Sequence, residues 1–278
     1  MSNIHFLGYC VYTGDIVLDS LAHKDNKTIV NTINPHCYCE AKKDHAYRKA
    51  LQNSTFLLPD GIGIVVALFM LTGRRFTRFA GYDLHHLLLS KLNVNGGRVF
   101  YMGASPSTLM EIQRKAKLEF PKIVVGTYSP PYEQVFSKHT NDQIIHAINA
   151  FQPDVLFVGM TAPKQEKWVY KHKDSIVAPV IASIGAVFDF YAGTVPRPEK
   201  FWLWMNLEWF IRLLREPKRL WRRNLISAPS FIKDVFLSRI GLNKYLMKKQ
   251  AENEDPDLNP EYINYKTEKK PPVWTNLF

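Results

Sequence analysis

Thr55-Phe56-Leu57-Leu58-Pro59-Asp60-Gly61-Ile62-Gly63-Ile64 is the stretch from which the fold is read. A short apolar run ends at a proline. One carboxylate follows, with two glycines close behind it, and then a second apolar run begins. The pattern predicts a buried strand, a tight turn and the start of a helix. In a parallel sheet covered by helices, ligands bind beyond the carboxyl ends of the strands, and this turn places Asp60 there. A carboxylate at such an edge can serve as a general base if it faces a pocket. On local sequence alone, a turn former or helix N-cap is the stronger reading.

The same alternation extends on both sides. Lys27–Ile33 is β-branched and bounded by polar residues, so it reads as a strand broken by Asn34-Pro35-His36. Glu40–Gln52 has helical composition. Ile62–Leu71 and Leu84–Leu92 read as helices, and Arg98–Gly103 as a strand. Ser105-Pro106 opens a helix with an N-cap and a proline just inside it. Ile123–Tyr128 is a strand, and Thr140-Asn141-Asp142-Gln143 is a capping-box start for a helix to Phe151. A strand at Asp154–Met160, a helix at Lys164–Lys171 and a strand at Val180–Ile184 complete the series. Strands alternating with helices define an α/β class: a Rossmann-like, mainly parallel sheet with helices on both faces.

The chain has 278 residues, 46% of them hydrophobic, enough for a large core and an appendage. No apolar stretch reaches the roughly 18–20 residues that span a bilayer. The N-terminus lacks the basic start and small-residue cleavage site of a signal peptide. Cys10, Cys37 and Cys39 are an odd number without a second cysteine pair, which fits reduced thiols and a cytoplasmic setting. Net charge is +11, so the expected partner is anionic: a nucleic acid, an anionic membrane or a phosphorylated ligand.

The charge is not spread evenly. Beyond Pro196-Arg197-Pro198, residues Phe201–Arg223 combine Trp202, Trp204, Trp209 and Trp221 with Arg212, Arg215, Arg219, Arg222 and Arg223. Arg212, Arg215, Arg219 and Arg222 share one face if a single helix runs through them, although Pro217 predicts a break near Glu216. Tryptophans, arginines and many aliphatic side chains favour a membrane surface over nucleic acid. After Lys249 the chain becomes an acidic, proline-bearing tail. The expected domains are therefore a catalytic domain at 1–195, a membrane-associating appendage at 196–249 and a tail at 250–278.

There is no G-x-G-x-x-G, no Walker A loop, no H-E-x-x-H and no paired Cys-x-x-Cys. Asp255-Pro256-Asp257 spells D-x-D but lies in the tail, without a preceding apolar strand. Besides Asp60, several places stand at predicted strand ends. Thr32-Ile33-Asn34 offers a hydroxyl and an amide suited to sugar or phosphate, or an Asn-Pro turn. Ala162-Pro163-Lys164-Gln165 follows an apolar strand and opens a helix whose first N–H groups favour an anion, or is simply a solvated helix start. Arg74, Arg75 and Arg78 form a charged loop, and Asp189 is a lone carboxylate among aromatics.

Four blocks, in order, give the chain a family likeness. They are Thr32-Ile33-Asn34; Leu58-Pro59-Asp60-Gly61-Ile62-Gly63 with Arg78-Phe79-Ala80-Gly81; Gly159-Met160-Thr161-Ala162-Pro163-Lys164-Gln165-Glu166; and Phe188-Asp189-Phe190 through Leu207-Glu208-Trp209 to Glu216-Pro217-Lys218-Arg219. Each is weak alone, but together they resemble the WecG/TagA/CpsF family of bacterial glycosyltransferases. The resemblance implies an inverting enzyme on the inner face of the cytoplasmic membrane. It would move a sugar (N-acetylmannosamine, its uronic acid or glucose) from a UDP donor to an undecaprenyl-diphosphate-linked saccharide, without metal or other cofactor. It assigns Asp60 as the base, with Thr32 and Asn34 positioning a sugar. It also implies that Arg78, Gln165 and Asp189 hold the donor, and that Arg212, Arg219 and Arg222 offset the charge of the departing diphosphate. Oligomerisation is left open. The alternative is an α/β protein that grips nucleic acid through the basic segment.

Overall fold

A computed structural model describes residues 3–14, 27–196, 202 and 208–241. The tail, with Asp255-Pro256-Asp257, and most of the stretch between Pro196 and Glu208 lie outside the described residues. Six strands form one parallel sheet: β3 (Thr28–Ile33), β4 (Phe56–Pro59), β5 (Arg98–Gly103), β6 (Val124–Tyr128), β7 (Val155–Gly159) and β8 (Val180–Ser183), in the order β4-β3-β8-β7-β5-β6. The expected α/β class is what the chain adopts. β5, β7 and β8 are buried along nearly their whole length, which is why they read as unbroken apolar runs.

Helices cover both faces. α4 (Gly81–Asn95), α5 (Pro106–Glu119) and α8 (Val187–Ala192) enclose one core around Val30, Leu58, Tyr101, Phe157 and Phe188. α6 (Lys138–Phe151) and α7 (Lys164–His172) enclose another around Ile29, Met102, Leu156 and Trp168. The predicted N-cap at Ser105 is present: its side chain accepts from the Thr108 N–H at 3.2 Å. The expected capping box at Thr140 is displaced, because Ser137 takes the cap and accepts from Thr140 N–H at 3.0 Å. α4 begins at Gly81 rather than Leu84, since Asp83 Oδ2 accepts from Ala80 N–H and closes the first turn earlier.

Two differences matter for the site. The helix expected at Glu40–Gln52 is two helices, α1 (Pro35–Ala41) and α2 (His45–Gln52). Pro35 ends β3 but also starts α1, and Asp44 caps α2 by accepting from Tyr47 N–H at 3.0 Å. The N-terminus forms an unforeseen hairpin, β1 (Asn3–Phe6) with β2 (Tyr9–Tyr12), turned at Leu7-Gly8 with both φ positive. Tyr12 meets Phe56 edge-on at 4.8 Å between ring centroids, so the hairpin lies against the sheet's edge strand β4.

The close approach of two glycines holds the sheet's middle. A Cβ on Gly103 would lie 2.2 Å from the Gly159 carbonyl, and one on Gly159 would lie 2.5 Å from the Phe188 ring. Gly159→Ala is therefore expected to cost about 1–3 kcal/mol, read as a lowered urea midpoint with an unchanged slope. An unchanged midpoint would mean that Phe188 is not packed there.

After Glu208 the chain forms α9 (Glu208–Arg215), α10 (Pro217–Trp221), a π-helical turn at Arg222–Ser227 and α11 (Ala228–Arg239). The break falls at Glu216, as Pro217 predicts. Arg212 and Arg215 stand on α9, Arg219 on α10, and Arg222 opens the π turn, so one continuous helical register does not join them. The described residues divide into two compact units, one running to Ile232 and one beginning at Lys233.

Candidate active site

The carboxyl edge of four neighbouring strands, β4-β3-β8-β7, gathers six of the predicted residues. At its centre, Asp60 N–H donates to Ile33 O at 2.9 Å, which fixes the end of β4 against the end of β3. Phe79 N–H donates to Pro59 O at 3.1 Å and draws the Arg78 loop back onto the same turn. Gly61 has φ +84°, a conformation that lets the chain leave the strand directly into α3 (Ile62–Thr72). A Cβ on Gly63 would lie 2.7 Å from Pro35 Cγ, so α3 and α1 start in contact. Asp60 and Arg78 are both half-buried.

Thr32 pairs in register with Leu58. The pleat puts it on the face of Val30 and Leu58, the side covered by α8. Asn34 is buried and caps α1: its Oδ1 accepts from His36 and Cys37 N–H, each at 3.0 Å. The cap uses the amide oxygen, which matches the turn reading and leaves the amide nitrogen as the group to offer a ligand.

Gln165 is buried rather than presented to solvent. Its Oε1 accepts from Met160 N–H at 3.2 Å and its Nε2 donates to Glu166 Oε1 at 2.8 Å. A Cβ on Gly185 would lie 3.5 Å from that Oε1, so Gln165 ties the loop after β7 to the loop after β8. Asp189 stands half-buried on α8, just beyond the latter loop. A Cβ on Gly81 would lie 3.2 Å from Val187 Cγ2, which brings the starts of α4 and α8 together.

The π turn at Arg222–Ser227 and the start of α11 reach this edge through α1. His36 Nδ1 and Ser227 Oγ share a hydrogen bond of 2.9 Å, and Cys39 Sγ donates to Ser227 O at 3.3 Å. Phe231 meets Tyr38 at 5.4 Å and Phe6 at 6.0 Å. Arg222 is exposed, its guanidinium 5.6 Å from the Trp221 ring. Its neighbour Arg223, not singled out by sequence, is half-buried and close enough to His36 to help burial lower that imidazole's pKa.

Glu166 is the other residue the sequence did not single out. It is 3% exposed, and burial raises its pKa to about 7, against the opposing pull of the Gln165 hydrogen bond. Burial foremost, and the Glu166 charge beside it, raise the pKa of Cys37 and Tyr47, so the three groups are neighbours beneath α1 and α2. Among the described residues, Glu166 Oε2, Asn31 Oδ1 and Ser183 Oγ are buried without a hydrogen-bond partner, and Tyr47 OH lies beside the Cys37 thiol. A polar layer therefore backs the strand edge on the α7 side. The opposite side has His85, fully buried among Tyr191, Phe157 and Tyr101, with its Nε2 and Tyr101 OH 2.7 Å apart. Burial lowers its pKa to about 3.

A parallel sheet whose carboxyl edge carries Asp60, with glycines where helices leave the strands, is the arrangement of ligand-binding α/β proteins. The pattern of the glycosyl transferase WecG/TagA/CpsF family matches residues 11–245. The chain belongs to this family, and the protein is a glycosyltransferase. It is 34% identical over 204 residues, 73% of this chain and 77% of the relative, to an N-acetylglucosaminyldiphosphoundecaprenol N-acetyl-beta-D-mannosaminyltransferase of Bacillus spizizenii. A protein of the same description from Bacillus subtilis strain 168 is 33% identical over 73% of this chain and 77% of its own length. One from Staphylococcus aureus strain MW2 is 28% identical over 81% and 84%. Among the described residues, no helix is long and apolar enough to cross a membrane.

Proposed function

We propose that this glycosyltransferase moves an N-acetylmannosamine-type sugar from a UDP donor to an N-acetylglucosamine carried on undecaprenyl diphosphate, with inversion at the anomeric carbon. Two things support the reading: the activity for which the relatives are named, and the strand edge that brings Thr32, Asn34, Asp60 and Arg78 together. The Asp60 carboxylate takes the proton of the acceptor hydroxyl as that oxygen attacks the anomeric carbon. The new glycosidic C–O bond forms on the face opposite UDP, and the old C–O bond breaks with its electron pair passing to the β-phosphate oxygen. Thr32 and the Asn34 amide nitrogen position the sugar. Arg78 and Asp189 bind the donor, and Gln165 sets the shape of the donor pocket by joining the two loops beneath it. Arg212, Arg219 and Arg222 supply positive charge to the departing diphosphate, the task a divalent metal performs elsewhere.

The same segment would dock the enzyme peripherally on the cytoplasmic membrane face, in keeping with its exposed Trp209, Phe210, Leu214 and Trp221. A panel of UDP-sugars, offered with an N-acetylglucosamine diphospholipid acceptor in excess chelator, tests the assignment. UDP-N-acetylmannosamine is expected to be the best donor, with transfer undiminished by chelator. Preference for a uronic acid or glucose donor would replace the sugar assignment. Loss of transfer to the chelator would remove the arginines from the leaving-group role.

A further inference from the structure

The docking surface extends beyond the appendage. α3 leaves the strand edge one residue after Gly61 and has no polar side chain before Thr72. Its inner face buries Ile64, Ala67 and Leu68. Val66, Phe69 and Met70 are 46%, 47% and 38% exposed, and their spacing of three and four residues sets them on one outward face. The helix stops at Gly73, which has positive φ, and exposed Arg74 and Arg75 follow at once. From Gly61 to Tyr82 the chain has no acidic residue. Eleven residues make a helix about 16 Å long, too short to span a bilayer but long enough to lie in its interface.

We propose that α3 is a second membrane-contact element, its Val66–Phe69–Met70 face seated among anionic lipid headgroups and Arg74 and Arg75 paired with them. The proposal rests on the reading of a lipid-linked acceptor only for its purpose, since bilayer binding is measured without acceptor. Charge decides the occupant: an apolar face followed by two exposed arginines and no acid matches an anionic bilayer. Position adds to this. α3 starts two residues after Asp60, and a Cβ on its Gly63 would meet Pro35 at the start of α1, the helix on which the π turn packs. Seating α3 on the bilayer holds the catalytic edge at the depth of the acceptor's diphosphate.

The test uses the full chain and vesicles of phosphatidylglycerol and phosphatidylcholine in equal parts, with pure phosphatidylcholine as the neutral arm. The triple variant Val66→Ser/Phe69→Ser/Met70→Ser is expected to bind the mixed vesicles at least about tenfold more weakly. Arg74→Ser/Arg75→Ser should lose roughly ten- to thirtyfold on mixed vesicles and almost nothing on neutral ones. Both variants should keep the wild-type circular dichroism and wild-type transfer to a water-soluble acceptor. Wild-type vesicle binding by both variants overturns the proposal. So does a triple variant that turns an oligomer into a monomer in sedimentation without changing vesicle binding, because the face would then belong to a second copy. Loss of transfer to the soluble acceptor by the wild-type chain would instead count against the functional reading and leave this one standing.

Discussion

Asp60→Asn is expected to lower transfer roughly 10²–10⁴-fold, the usual contribution of a positioned general base. The variant tests the base rather than the fold, because two backbone hydrogen bonds fix the turn at residue 60. Its N–H is bonded to Ile33 O, and the neighbouring Pro59 O to Phe79 N–H. An asparagine keeps both bonds and the side-chain volume, but cannot take the acceptor's proton. UDP-sugar affinity, measured by calorimetry, should therefore stay close to wild type while kcat falls. Full activity in Asp60→Asn would remove Asp60 from the base role. A parallel loss of donor affinity would make it a donor ligand instead.

The second large effect is a pair of opposed pH dependences. His85 has its pKa lowered from 6.5 to about 3, so its contribution is complete above pH 6.5 and is lost as pH falls toward 3. The full loss is about 5 kcal/mol. Glu166 has its pKa raised from 4.5 to about 7, so its contribution is complete below pH 4.5 and is lost as pH rises through 7, about 3 kcal/mol in all. Between pH 4.5 and 6.5 the two slopes, each about 1.4 kcal/mol per pH unit, cancel. Removing either group should expose the other. Relative to wild type, His85→Leu is expected to lose about 3 kcal/mol more as pH rises from 4.5 to 6.5, and Glu166→Gln to gain a similar amount. Urea titrations at several pH values measure both. A stability difference that does not move with pH would mean that the group in question is not shifted as its burial implies.

The strand series was legible because buried parallel strands leave continuous apolar runs, and glycine or proline marks where each run stops. Asp60 and Asn34 are legible as residues at strand ends and Arg78 only as part of a charged loop after a helix; tertiary hydrogen bonds bring Asp60 and that loop to one turn. The N-terminal hairpin carries a weak signal, Leu7-Gly8 between two stretches of four residues, too short for alternation alone to mark a strand. α1 is hidden behind Pro35, which reads as a breaker after a strand but, following the Asn34 cap, also begins a helix. Glu166 and His85 could not be found by local pattern. A glutamate in a first helical turn and a histidine in an amphipathic helix are ordinary surface residues until the sheet they face is known.

The order of the strands also has a consequence in time. β3 sits between β4 and β8, yet β8 lies about 150 residues further along the chain. At ordinary rates of synthesis, roughly 5–20 residues per second, β3 waits on the order of ten seconds or more for its second neighbour. Throughout that interval one side of a β-branched strand is an open ladder, able to pair with any other extended segment. The ends of β7 and β8, with Gln165 and Asp189 just beyond them, therefore join the edge that carries Asp60 late. A chain cut short before Val180 would carry Asp60 and its turn but leave β3 without its β8 neighbour, a form prone to aggregate.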